Sequence, residues 1–297
     1  MRPDRAHAPL APSAASRAHG RSAAAAVAGG FLLLAAACTP RTPVSPDLQA
    51  NPARLLDEVQ AAQARTVRVQ GTAKVKINSP DVRGTTTAFL AAEQPARLRV
   101  ELLDFFGNPV AVLIADGERF GYYDSKRRTW YSGDATPENV SRFLPIALPP
   151  WELALILRGS APILQGEPGQ VVDTGKGRVD LLIQGNGLTQ TLGIGQELAV
   201  VSSHLREPGD ANEPSPHYDL TFERFAERGG VRFPLDVRLD APRASARVEV
   251  GWKSDVEVNG EARPELFRLD PPSGAEVVNL PPGGAIPDVE IPLGAEN

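Results

Sequence analysis

Alternation of apolar and polar residues is the strongest signal along the chain. Val67, Val69, Gly71, Ala73, Val75 and Ile77 fall on one phase, while Arg68, Gln70, Thr72, Lys74 and Lys76 fall on the other. A period of two predicts a strand in a sheet with one solvated face. Leu98, Val100 and Leu102 alternate with Arg97, Arg99 and Glu101 in the same manner. Further strands are predicted over 84–91, 109–116, 118–124 and 127–132, with turn signals such as Glu93-Gln94-Pro95 and Asp116-Gly117 between them. A second series covers 178–184, 188–194, 197–206, 216–225, 231–239 and 245–252, with a short piece near 255–259. These are roughly a dozen strands, and their direct succession predicts antiparallel pairing rather than β-α-β crossovers. The fold class is mainly β with a few helices.

Helical spacing occurs in three places. Asn51 before Pro52 is a helix start, and Leu55, Leu56, Val59 and Ala62 then predict a helix over 52–64. Thr136-Pro137-Glu138 opens a second helical stretch, a capping residue standing before a proline. After the apolar link Leu144 to Leu148, Pro150 opens a third, with Trp151, Leu153, Leu155, Ile156 and Leu157 before Gly159 stops it. Apolar on most sides, this helix is expected either to be deeply buried or to cover an apolar space. Residues 271–297 hold six prolines and little periodicity, and are expected to form an extended, partly disordered tail.

The start of the chain has a different character. Arg2, Arg5, Arg17 and Arg21 stand against one acid, Asp4, and an apolar run then leads through Phe31 and Leu32 to Ala37. A basic segment, a short apolar run and small residues make an export signal. Cys38, the only cysteine, follows directly, where a lipoprotein signal places the thiol that receives diacylglycerol. Ala35 departs from the leucine usual three residues before that cysteine. An unpartnered cysteine is nevertheless unusual in an exported protein, and lipidation accounts for both its presence and its position. The expected organisation is a signal peptide over 1–37, a lipidated cysteine and tether over 38–50, one domain over 51–270 and the proline-rich tail.

Removing the leader takes the formal charge from -5 to about -8, since four arginines and one aspartate go with it. An acidic surface without a basic stripe excludes nucleic acid as a partner. Catalytic patterns are also missing. The glycine pairs at 175/177, 185/187 and 193/195 lack the third glycine and the helix of a phosphate-binding loop. Ser202, Ser203 and His204 lie on an alternating strand, where neighbours face opposite ways. Neither His204 nor His217 has a metal-ligand partner at a recognisable spacing. No metal, cofactor or enzymatic activity is therefore expected, and binding is favoured over catalysis.

The stretch Leu98-Arg99-Val100-Glu101-Leu102-Leu103-Asp104-Phe105-Phe106-Gly107-Asn108, the strand to Asp116-Gly117, the run Trp130-Tyr131-Ser132-Gly133 and the helix Trp151 to Gly159 resemble the LolA/LolB superfamily of bacterial lipoprotein carriers. The outer-membrane receptor branch, LolB, is the nearer likeness. Val258-Asn259-Gly260 and Pro264-Glu265-Leu266-Phe267-Arg268-Leu269 are similar to segments of uncharacterised relatives. The resemblance implies an unclosed antiparallel β-barrel of about eleven strands with a helical lid, whose apolar concave face holds acyl chains of lipoproteins or lipids. It implies that Val69, Leu98, Val100, Leu102, Val112, Phe120, Tyr122, Trp130, Trp151 and Leu155 line the cavity. A lipid-anchored protein of the envelope follows, on the outer membrane and facing the periplasm, with a periplasmic carrier as a possible partner.

Phe105 and Phe106 stand between two strands, directly before Gly107-Asn108, a pair suited to a tight turn with positive φ. Two adjacent aromatics there cannot both face inward, so one at least is expected in solvent. In the receptor branch the matching loop carries an apolar residue that engages membrane lipid, and Phe106 is its match by position. Two other readings compete: a structural envelope lipoprotein whose barrel is fully packed and whose tail binds a protein, and an exported hydrolase that depends on His204 or His217.

Overall fold

The computed structural model describes residues 43–144, 148–207 and 215–281. The leader, Cys38, residues 208–214 and the end of the proline-rich stretch lie outside the described residues.

Two helices open the described chain, α1 (Pro46–Gln49) and α2 (Pro52–Ala64). The Ser45 hydroxyl and the Asn51 side-chain oxygen accept from the main-chain amides of Leu48 and Arg54, each just ahead of a proline at the first helical position. A side-chain acceptor there satisfies an amide the helix leaves unpaired, and proline loses nothing at that position. α2 turns Leu55, Leu56 and Val59 inward.

Six strands then form a meander: β1 (Arg68–Asn78), β2 (Arg83–Glu93), β3 (Arg97–Leu103), β4 (Pro109–Ala115), β5 (Arg119–Asp124) and β6 (Thr129–Asp134). The chain next passes through α3 (Pro137–Val140) and α4 (Pro150–Leu157). A second meander follows: β7 (Glu167–Gly175), β8 (Arg178–Gly185), β9 (Leu188–Ile194), β10 (Val200–Glu207), β11 (Ser215–Arg228), β12 (Val231–Ala241) and β13 (Ala246–Trp252). Two short strands, β14 (Glu257–Val258) and β15 (Glu276–Asn279), complete the set.

All belong to one sheet, ordered β15-β6-β5-β4-β3-β2-β1-β13-β12-β11-β10-β9-β8-β7, with β14 also on β1. The meanders meet where β13 pairs antiparallel with β1, Ala73 opposite Trp252 and Ile77 opposite Val248. β6 and β7 are consecutive in sequence yet lie near opposite margins of the sheet. Their connection must span its width, and this carries α4 across the concave face. Only β15 is paired in parallel among the described strands, against β6.

The architecture is the unclosed, mainly β half-barrel expected, but with fifteen strands among the described residues rather than about eleven. The sequence conceals β7 because Pro168, Gly169 and Gly175 interrupt it and its edge position leaves most of it solvated. β15 lies in the stretch expected to be a disordered tail, and there Val277 and Val278 pair with Trp130 and Tyr131. Four paired residues carry too little periodicity to stand out between prolines.

α2 contacts β7 and the turn at 196–198. Asn259, whose φ of 53° is left-handed, accepts from the Val67 amide at 2.8 Å and donates to the Arg65 carbonyl at 2.9 Å. The Val258-Asn259-Gly260 motif thus fastens the α2–β1 junction, a role that needs a short amide side chain tolerant of positive φ.

Candidate functional site

The interior under α4 holds a cavity of about 120 Å³, lined from three directions. β1 to β5 supply Val75, Ile77, Leu90, Leu98, Val100, Leu102, Ala111, Leu113 and Tyr122. β12 and β13 supply Val237, Leu239, Val248 and Val250. The lid contributes Leu153, Ile156 and Leu157 from α4, with Phe143 and Leu144 before it. Strand positions two apart and helix positions three and four apart put these side chains on the same faces. The lining side chains are apolar, the Tyr122 hydroxyl being closed off from the space, so the space suits hydrocarbon.

Four of the side chains expected to line the cavity do so: Leu98, Val100, Leu102 and Tyr122. Val69 is buried in the core and Phe120 lies beneath Phe143, ring centroids 5.7 Å apart, both away from the space itself. Val112 and Trp130 project from the opposite face. There they form a separate apolar cluster with Ile114, against which Tyr123, Leu269 and Ala275 pack. β4 is apolar on both phases, Ala111 and Leu113 inward and Val112 and Ile114 outward, so alternation could not choose between them. Gly121 was the available clue: the Trp130 ring lies across it, and a glycine inside a strand marks such an approach.

Trp151 and Leu155 also fall outside the lining, Trp151 at 49% exposure. They are four apart and share the outer face of α4, while Leu153, Ile156 and Leu157 share the inner one. A helix apolar on most sides, whose one charged residue Glu152 is itself partly buried, does not reveal which face is inner. The whole contribution of β12 and β13 was also missed, although Val237, Leu239, Val248 and Val250 alternate cleanly. The missing information was the β1–β13 pairing that brings the second meander beside the first.

Among the described residues, the side-chain ties of α4 gather at its C-terminal end. At the C-terminal end Arg158, 3% exposed, donates from Nη1 to the Thr66 carbonyl at 2.8 Å. Beside it the Ala161 amide donates to Gln63 Oε1 at 2.6 Å, and a Cβ on Gly159 would meet Pro234 at 2.5 Å. At the N-terminal end Pro149 offers no side-chain cap. Burial there pushes the Glu152 carboxyl up to about 7, and Glu152 lies within electrostatic range of Tyr218 on β11. The less fastened end of the lid therefore points toward the barrel end that bears the β3–β4 turn.

That turn carries Phe105 and Phe106, 96% and 84% exposed, packed edge to face with centroids 5.5 Å apart. Asp104 builds the turn: its Oδ1 accepts from the amides of Phe106 at 2.9 Å and Asn108 at 2.8 Å, and its Oδ2 from the Asn108 side chain at 3.0 Å. These bonds, that of the Asn108 side chain first, hold its carboxyl below the usual range. Gly107 takes φ +84°. Both aromatics are thus held in solvent by a preformed turn, where the adjacent-aromatic argument required one at least.

The two histidines face acids across the β10–β11 pair. His204 Nδ1 lies 2.6 Å from Asp219 Oδ1, and His217 Nδ1 lies 3.2 Å from Glu207 Oε1. Arg206 and Arg243 donate to the same carboxylates, and a guanidinium occupies the lone pairs a metal would need. No group of three metal-ligating side chains occurs among the described residues.

No family model matches the chain, and no curated protein does. Solved structures do. A domain from Vibrio parahaemolyticus, provisionally designated an outer membrane lipoprotein-sorting protein, is similar with a TM-score of 0.51 at 9% identity, covering 74% of this chain and 97% of its own. This chain shares that domain's fold. A LolA superfamily protein from Nitrosomonas europaea is similar over 73% of this chain and 97% of its own, with a TM-score of 0.47 and 9% identity. The lipoprotein LppX of Mycobacterium tuberculosis covers 74% of this chain and 98% of its own, with a TM-score of 0.32 and 12% identity.

Proposed function

We propose that this protein is an envelope acyl-chain carrier that receives lipoprotein acyl chains in the half-barrel and passes them on without covalent chemistry. The observation that carries the reading is the apolar cavity between the two meanders, under a lid fastened mainly at one end. A fully packed structural barrel would have no such space. At about 120 Å³ the cavity is similar to an engineered void of ~150 Å³ that admits one benzene. A long acyl chain therefore requires α4 to swing outward about its Arg158 end. Each methylene then buried contributes about 0.8 kcal/mol, so release proceeds by exchange into another apolar site.

The finer reading places the protein at the outer membrane, anchored through lipidated Cys38, with a periplasmic carrier as donor and Phe106 engaging membrane lipid during delivery. The exposed Phe105–Phe106 turn supports it, because rigidly presented aromatics in solvent call for a partner surface. The test is binding of a fluorescent fatty-acyl probe to delipidated protein, compared with Leu113→Trp, which fills the cavity. Saturable binding lost in the variant supports the reading, and no binding to the wild type refutes it.

A further inference from the structure

Phe143 closes the cavity on one side. Strands β1 to β4 all contribute to the lining, β5 gives Tyr122 alone and β6 gives none among the described residues, although β6 continues the same sheet. The space over β5 and β6 is filled by one aromatic side chain instead. The Phe143 ring, part of the lining itself, stacks on Tyr122 with centroids 4.2 Å apart and planes 24° from parallel. It also lies 5.5 Å from the Tyr131 ring on β6 and 5.7 Å from Phe120 on β5. With the cavity on one side and three aromatic partners on the other, the ring is a packed wall. That wall is tied to the sheet rather than to the swinging lid. The Phe143 amide donates to the Val140 carbonyl at 3.0 Å, at the end of α3, and α3 is fastened to the end of β6 by Asn139, which is fully buried and donates from Nδ2 to the Asp134 carbonyl at 2.9 Å. Outward movement of α4 about its Arg158 end therefore leaves Phe143 in place.

We propose that Phe143 is the end wall of the acyl site and sets the length of chain that the half-barrel accepts. This inference rests on the acyl-chain reading and deepens it, since it names the residue that selects among acyl chains. A carboxyl or ester head entering an apolar blind end would lose its hydrogen bonds to water, so the methyl end of the chain is the end that meets the ring. Each methylene up to the wall is buried and raises affinity about fourfold. Beyond that length further methylenes stay outside, and the gain stops.

The experiment measures displacement of a fluorescent fatty-acyl probe by saturated fatty acids from octanoate to octadecanoate, for wild type, Phe143→Leu and Phe143→Ala. Wild-type affinity should rise with chain length and level off before octadecanoate. In Phe143→Ala the levelling should move to longer acids, so that octadecanoate gains about 15-fold over wild type, the effect of about two more buried methylenes, while octanoate binding holds. Phe143→Leu, which gives up less packing, should fall between. Levelling at the same length in wild type and variants, equal weakening of all the acids, or a wild-type affinity that climbs without a break overturns the inference and leaves the acyl-chain reading standing. Wild type that binds none of the acids overturns both. Should neither variant fold, photolabelling of wild type with a fatty acid carrying a diazirine at its methyl end decides. Labels on Phe143, Tyr122 or Tyr131 support the wall, and labels elsewhere refute it.

Discussion

Arg158 and Thr66 join the lid to the start of the sheet: the guanidinium, enclosed almost entirely in protein, donates to the Thr66 carbonyl at 2.8 Å. No carboxylate pairs with it among the described residues, and burial pushes its pKa down to about 10. Arg158→Met keeps much of the stem but leaves the carbonyl unpaired, at about 1–3 kcal/mol, partly offset because a buried charge is also removed. The expected net loss is about 1–2 kcal/mol in urea unfolding. Amide exchange should rise in 150–157 more than in β1 or β13; a uniform rise would mean that Arg158 supports the whole domain rather than the lid.

Phe106 separates delivery from binding. At 84% exposure, Phe106→Glu should change stability by less than about 0.5 kcal/mol. Acyl-probe binding should persist while transfer of acyl cargo to liposomes is lost. If binding and transfer fall together, or the variant unfolds, the turn is part of the core and the membrane reading of it is wrong.

Glu152 makes the lid sensitive to pH. Burial raises its folded-state pKa to about 7, above the unfolded value of 4.5. The folded form therefore binds more protons between those values, and stability must decline as pH rises through that window, then level off above about 7. Thermal unfolding from pH 5 to 8 should show the decline, and Glu152→Gln should flatten it. If the variant keeps the wild-type slope, another group is responsible.

Gly121 tests the outer cluster. A Cβ at this position would stand 1.9 Å from the Trp130 ring, so Gly121→Ala must displace the indole. Overpacking of this kind costs about 1–3 kcal/mol. Because the cluster lies on the face away from the cavity, acyl-probe affinity should hold while the urea midpoint falls. Affinity falling in parallel with stability would show that the two faces are coupled.

The sequence made the antiparallel strands legible wherever one face is wet: β1 and β3 alternate charge with hydrocarbon, and β3 turns Leu98, Val100 and Leu102 to the cavity, whereas Val69, the β1 residue expected there, lies in the core away from it. Legibility failed where both faces are covered. Val112 and Trp130 were placed inward because β4 and β6 are buried on both phases, and Trp151 and Leu155 because the one charged residue of α4, Glu152, is itself partly buried and does not mark solvent. Long-range pairing was also hidden. Val237, Leu239, Val248 and Val250 reach the cavity only because β13 pairs with β1 across more than half the domain, and local period carries no trace of that contact.

The central claim is that the half-barrel holds acyl chains, and native mass spectrometry of the purified protein tests it most directly. The account predicts a mass excess equal to one or more acylated lipids, removed by delipidation and restored by incubation with acyl lipid in wild type but not in Leu113→Trp. A single unliganded mass throughout, unchanged by incubation with acyl lipid, would contradict it.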